Sequence, residues 1–266
     1  MKKQSLVMLM LVLLGFGAYA QNQWAGNRAM WLDFGAGFDL ADCYDKGTVP
    51  FHVEGMGANV SFGATYAWQR CQMQLGTRFF EHELSSPSGA DLGLSLDLEF
   101  LYRFCDTPNN RWHFRAGGAL NVFADMKSIP ALQNAQTAVS AFGHVSATGS
   151  VEYDFAFNKA KTHPWLTAFG KLSLPIAGAV SRPDYAYISD GVGSVNAEVP
   201  LLDGNRTFAK FFAGAQATLG LNLNLPNKNR IGLAYRWDYL TTGKKDFHRF
   251  DSAIHGFNLS FMFNIR

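Results

Sequence analysis

Charge is scarce in this chain of 266 residues: Asp, Glu, Lys and Arg together make up 17%. The 23 basic and 21 acidic residues nearly cancel, giving a formal net charge of +2. So even a balance points neither to nucleic acid nor to a strongly acidic partner. Cysteine is sparse, with three residues, and no Cys or His spacing matches a metal site, so neither metal nor cofactor is expected. Long apolar runs are absent after residue 16, which excludes membrane-spanning helices in the rest of the chain. Mean hydropathy is −0.05, far too polar for a helical membrane bundle. Aromatics, by contrast, reach 14%. Few charges, many rings and a near-zero average are reconciled if lipid-facing and interior positions alternate along strands.

The first twenty residues have the layout of an export signal. Lys2 and Lys3 form a positive start, Leu6 to Phe16 is almost unbroken apolar sequence, and Ala18-Tyr19-Ala20 offers a cleavage site before Gln21. The apolar run is shorter than the ~20 residues of a spanning helix. No cysteine follows the cleavage site, which argues against a lipid-anchored protein. The expected organisation is a cleavable signal over 1–20 and a single domain over 21–266.

From Arg28 onward the chain keeps a period of two. Met30, Leu32, Phe34, Ala36, Phe38 and Leu40 alternate with Trp31, Asp33, Gly35, Gly37 and Asp39. The clearest run is Leu92, Leu94, Leu96, Leu98, Phe100, Tyr102 and Phe104, interleaved with Ser95, Asp97, Glu99 and Arg103. Similar segments cover 58–68, 73–79, 112–122, 139–157, 166–174, 213–225, 231–239 and 257–265. That makes about ten strands, an even count of the kind bacterial barrels have. A soluble sandwich would not demand bulky apolar residues on one face of every strand, whereas lipid does. The predicted fold is all-β: a closed antiparallel transmembrane β-barrel with an up-and-down meander.

Connection lengths alternate in support. Short turns are expected at Arg70-Cys71, 106–110, 158–163 and 226–229, and longer connections at 41–55, 83–91, 125–138, 177–206 and 241–252. Short periplasmic turns facing long external loops would put both termini in the periplasm. Tyr66, Trp68, Tyr102, Trp112, Tyr153 and Trp165 gather near the short turns, and Trp237 and Tyr239 near the long loops, as two interfacial girdles.

On these segments the chain resembles a small outer-membrane β-barrel protein of the Bacteroidetes type. Such barrels end in an alternating strand read by the assembly machinery. Phe257, Leu259, Phe261 and Phe263 match that pattern, although the last residue is Arg266 rather than an aromatic. The resemblance implies an outer-membrane location and, as partners, outer-membrane lipid, lipopolysaccharide and the barrel-assembly machinery. It assigns no activity, and any surface ligand is unidentified.

Several groups on the polar faces are candidates for function. Arg78 is expected about opposite Asp97, Arg115 near Glu99 and His113 near Arg103, forming a mixed-sign cluster. Such a cluster reads either as a salt-bridge plug or as a selective constriction. His144-x-Ser146, with Glu152 on the same face, is similar to the His-x-Ser element of lipid A 3-O-deacylases. In those enzymes the pair faces lipid, whereas parity here turns it inward. Omptin proteases share the ten-strand count, but the loop residues Asp45, Asp184, Asp190, Asp203, Asp246, His248 and Asp251 reproduce no omptin spacing. Phe123, Phe142, Phe169 and Phe212 are apolar exceptions on inward faces, read either as interior packing or as an apolar pocket beside a strand loosened by Pro175. Cys71 and Cys105 share the short-turn end and are candidates for a disulfide, which Cys43 at the other end cannot join. The longest loop, 177–206, carries Tyr185, Tyr187 and Ile188 and reads as a binding surface or as cover for the barrel mouth.

Overall fold

The structure is a computed structural model, and it describes residues 28–46, 49–107, 111–135, 137–155, 164–183, 205–209, 213–242 and 249–265. Eleven strand segments follow one another: β1 (Arg28–Asp45), β2 (Val49–Trp68), β3 (Cys71–Ser85), β4 (Ser88–Asp106), β5 (Trp112–Ser128), β6 (Thr137–Phe155), β7 (Leu166–Pro183), β8 (Asn205–Ala209), β9 (Ala213–Asn224), β10 (Arg230–Thr242) and β11 (Phe250–Asn264). Each pairs antiparallel with its neighbours, and β1 pairs with β11 over Trp31 to Asp45, so the sheet closes on itself. The short β8 pairs with the far end of β7, beyond the stretch of β7 that pairs with β9. Together β8 and β9 serve as one stave, and the wall is a closed barrel of ten. Closure satisfies the backbone without leaving an edge, which is the condition for strands to stand in hydrocarbon.

The alternation sorts side chains as the sequence predicts. Phe34, Phe38, Val60, Phe62, Leu75, Phe79, Leu94, Leu96, Leu233 and Leu259 are exposed on the outside. Asp39, Asn59, Arg78, Ser95, Glu99, Asn121 and His144, on the opposite parity, are buried inside. Tyr66 stacks on Trp68 at 5.2 Å and Trp112 packs on Tyr153 at 4.6 Å toward one end, while Trp237 stacks on Tyr239 at 6.1 Å toward the other. Among the described residues, no helix is long and apolar enough to cross a membrane.

The turns at one end are tight. Gln69, with φ of 50°, occupies the left-handed region in the two-residue link between β2 and β3. Between β9 and β10, Lys228 with φ of 66° donates its N–H to the Leu225 carbonyl at 2.9 Å. The other end departs from the sequence reading. Two connections expected to be long are mostly strand, and a third is partly so: β1 runs to Asp45 and β2 begins at Val49, β3 and β4 are linked through Ser86-Pro87, and β5 reaches Ser128 before a 3-10 turn, Pro130–Ala135. Outward residues there include Asp42, Glu54, Glu81 and Glu83, so the apolar alternation stops although the hydrogen-bonded ladder continues. Residues 184–204 and 243–248, the centres of the other two long connections, lie outside the described residues.

Candidate functional site: the barrel interior

Inward positions of the ten staves build the interior in layers. Nearest the short turns is a cavity of about 370 Å3, lined by residues from every stave, including Trp31, Gln74, Glu99, Arg115, Lys171 and Asn222. Above it Arg236 of β10 reaches Asp97 of β4 at 3.5 Å. Counting round the ring through β3, β2, β1 and β11, or through β5, β6, β7 and β9, these two staves lie five apart either way. The ion pair therefore spans the barrel. Arg236 also holds Asp238 at 2.6 Å, and Asp97 accepts from Asn121 Nδ2 at 2.7 Å. Arg78 completes the layer, 3.6 Å from both Asp39 and Asp238. Buried charge of both signs is tolerable only when paired in this way.

Over the charge layer lies a second cavity of about 50 Å3, roofed by Phe123, Phe250, Leu240 and Ile254. Its roof belongs to a chain of rings: Phe80 on Phe123 at 5.6 Å, Phe123 on Phe142 at 5.8 Å and Phe142 on Phe250 at 4.7 Å. Phe142 of β6 and Phe250 of β11 come from distant staves and pack with Cys43 and Val180 in one buried cluster. Phe80 can lie flat because Gly93, its neighbour on β4, has no Cβ; a methyl there would run into the ring. Beside this lid, His82 sits between Asp39 at 3.4 Å and Asp91 at 3.3 Å with no exposure to solvent. Asp45 bridges to Arg182 and Asp125 to Lys127, and both cations stand over the Phe250 ring.

The predicted charge cluster is assembled with different partners. Arg78 pairs in register with Ser95 rather than Asp97, because the tight Ser86-Pro87 link shifts the β3–β4 register from that of a longer loop. Arg115 binds Glu152 at 2.6 Å, and Glu99 binds Lys171 at 3.0 Å. His113 does not meet Arg103. It lies between Asp106 at 2.8 Å and Asp154 at 3.2 Å, while Arg103 is 3.7 Å from Asp106. A bulge between Arg103 and Cys105 displaces this end of the β4–β5 ladder. The six residues therefore divide between the charge layer and the short-turn end.

His144, Ser146 and Glu152 all point inward, but at different heights. Ser146 is 1% exposed and its hydroxyl donates to Asn121 Oδ1 at 3.2 Å. Glu152, six residues further along the strand, is about 20 Å away in strand rise. It is engaged by Arg115 at the level of the lower cavity. The four phenylalanines do not share one pocket either. Phe123 and Phe142 belong to the lid, Phe169 lines the lower cavity against Gly220, and Phe212 lies outside the described residues. Of the loop acids, Asp45 and Asp251 sit near the lid end, bound to Arg182 and Arg249 respectively; Asp184, Asp190, Asp203, Asp246 and His248 lie outside the described residues. Cys71 and Cys105 are free thiols: Cys71 faces Tyr102 across the ladder, three residues short of Cys105. Among the described residues no group of three or more His, Cys, Asp or Glu side chains is placed to hold a metal ion.

Sequence reasoning missed Arg236, Asp238, Asp39, His82 and Lys127. All lie on inward parity, and that parity was the available signal; which residues meet across the lumen depends on register around the whole ring.

A closed ten-stave wall, apolar outside and charge-paired inside, defines a transmembrane β-barrel of the outer-membrane type. No family model and no curated protein matches the chain. Among solved structures it is similar to the outer membrane protease OmpT of Escherichia coli, with a TM-score of 0.56 and 6% identity over 92% of this chain and 99% of that one. The β domain of the Bordetella autotransporter BrkA follows at 0.40 and 10% identity, covering 90% of this chain and 99% of that chain. Neisserial surface protein A stands at 0.34 and 10%, covering 88% and 98%. At 6% identity the likeness to OmpT shows the fold alone.

Proposed function

We propose that the protein is an integral outer-membrane barrel of a Gram-negative bacterium with a closed lumen, acting as a structural element of the membrane or through a surface-binding role of its outer loops. The observation that carries this reading is the Arg236–Asp97 pair, which joins staves on opposite sides of the barrel directly beneath the aromatic lid. A pore needs a continuous water path, and two unrelated layers, one of ion pairs and one of rings, lie across the lumen here, which supports the closed reading. The short turns and both ends of the described chain lie at one end, which supports a reading with periplasmic termini and the lid toward the cell surface. The lipid-facing band and the two aromatic girdles support contact with membrane lipid and lipopolysaccharide, and the alternating last strand supports recognition by the barrel-assembly machinery.

The test is solute uptake. Liposomes containing the refolded protein are expected to swell in isotonic arabinose no faster than empty liposomes. Porin-like swelling would overturn the closed-lumen reading and favour a channel. A ligand captured at the lid end by intact cells, and lost when loop residues are exchanged, would define the surface role.

A further inference from the structure

Five cations line the lower cavity, and four of them are committed to carboxylates. Arg78 lies 3.6 Å from Asp39 and Asp238, Arg115 binds Glu152 at 2.6 Å, Lys171 binds Glu99 at 3.0 Å and Arg236 binds Asp238 at 2.6 Å. Arg230 is the exception. Among the described residues, its guanidinium has no carboxylate within ion-pair distance and no hydrogen-bond acceptor. Its nitrogens are nonetheless not sealed inside the wall, as the unpartnered Nε of Arg78 is.

The guanidinium is held in place without a counter-ion. From the first residue of β10 it reaches past Met262 of β11, its ladder partner, to stand over the Trp31 ring of β1, 4.3 Å from the centroid. The Trp31 indole N–H donates to the Lys228 carbonyl at 3.1 Å, two residues before Arg230, so ring and turn fix each other. The Asn264 backbone N–H donates to Asn229 Oδ1 at 2.9 Å and ties the end of β11 to the same turn. A ring face orients a guanidinium but does not neutralise it. The planar fork of N–H donors therefore still lacks the oxyanion it is shaped to bind, a carboxylate or a phosphate.

Neighbouring charge decides between these. The carboxylates near Arg230 are Glu152, Asp154 and Asp33. Glu152 is paired with Arg115, and Asp154 is held by His113 at 3.2 Å and Thr167 at 2.7 Å. Asp33 has no cation of its own: its Oδ2 accepts from Thr65 at 3.1 Å and its Oδ1 is sealed in the wall. A phosphate, with about −1.5 to −2 charges near neutral pH, would bring a surplus charge beside Asp33 with nothing to offset it. A carboxylate brings one. The cavity, at about 370 Å3, falls within the range of about 300–1,000 Å3 typical of small-molecule sites and bounds the rest of the ligand.

We propose that the lower cavity binds a small organic monocarboxylate, entered from the short-turn end and gripped by Arg230. The site goes beyond the proposed function and does not rest on the lumen being closed above it. The test is isothermal titration of the protein in octyl tetraoxyethylene, an uncharged detergent. Benzoate and N-acetylglycinate serve as probes, benzamide and N-acetylglycinamide as their neutral isosteres, and inorganic phosphate as the multivalent anion. The expected result is saturable 1:1 binding of a carboxylate, with its amide and phosphate about tenfold or more weaker. Arg230→Gln should weaken it by about tenfold or more, the scale of removing one partner of a hydrogen-bonded charge pair, while the unheated protein keeps its folded gel mobility. Phenylglyoxal mapping of the unaltered protein carries the test if that variant fails to fold. Arg230 should be modified in the folded barrel and protected by a saturating carboxylate, whereas the exposed Arg70 should be modified with or without it. Absence of saturable heat with both carboxylates, equal binding of amide or phosphate, a folded Arg230→Gln variant that binds like the parent, or no protection of Arg230 would overturn the assignment.

Discussion

Removing either end of the trans-barrel ion pair should not cost the same. Arg236 serves two carboxylates, Asp97 at 3.5 Å and Asp238 at 2.6 Å. Replacing it with alanine leaves Asp97 with Asn121 and Asp238 with a more distant Arg78. Loss of one member of a fully buried pair costs about 3–5 kcal/mol. The Arg236 side chain is 20% exposed and Asp97 28%, so the low end applies, about 3 kcal/mol. Asp97→Ala is milder, because Arg236 keeps its shorter bond to Asp238. The loss is then that of one charge-assisted contact, about 1.5 kcal/mol. The double variant should cost less than the sum of the two, since removing Arg236 already removes the partner that Asp97 had. Urea unfolding in lipid vesicles, followed by tryptophan fluorescence, measures all three. Equal costs for the two single variants, or costs below about 0.5 kcal/mol for both as expected of solvent-exposed pairs, would refute this account of the charge layer.

Four further outcomes are expected. His82→Ala leaves the buried Asp39 and Asp91 carboxylates short of a partner and should lower unfolding stability by about 1–3 kcal/mol; an unchanged urea midpoint would show that the side chain carries no such role. Gly117→Ala drives a methyl into the Phe100 carbonyl of the neighbouring strand, which cannot yield as a side chain can, and should cost about 1–3 kcal/mol. Gly76→Ala, where nothing lies within 4 Å of the added methyl, should be near neutral by the same assay. Maleimide treatment of the folded protein should label the exposed Cys105, whereas Cys43, buried beneath Phe142 and Phe250, should react only after unfolding; intact mass should not change on reduction.

The wall of this protein was legible because lipid imposes one rule on every stave. Residues such as Phe34, Val60, Leu94 and Leu259 must be apolar whatever their neighbours are, so period two shows in each segment alone. Where the wall leaves hydrocarbon the rule lapses. Asp42, Glu54, Glu81 and Glu83 face outward there, and the continuing strands looked like loops. Segment β8 escaped notice for a related reason: five residues after a long connection are too few to display a period. Inward parity was equally readable, but partnership was not. Whether Arg78 meets Asp97 or Asp39 depends on a shift set by the Ser86-Pro87 link and on the shear accumulated round ten staves, and neither is local to Arg78. The same non-locality separates Glu152 from His144 and Ser146, which share a face in sequence but lie at different levels of the lumen.

Single-channel recording in planar bilayers tests the central claim, the closed lumen, most directly. With charge layer and aromatic lid both in place, the inserted protein should stay electrically silent over sustained applied voltage of either sign. Insertion should be verified by recovery of the folded, heat-modifiable form. Steady, reproducible open-channel steps from that same material would contradict the account.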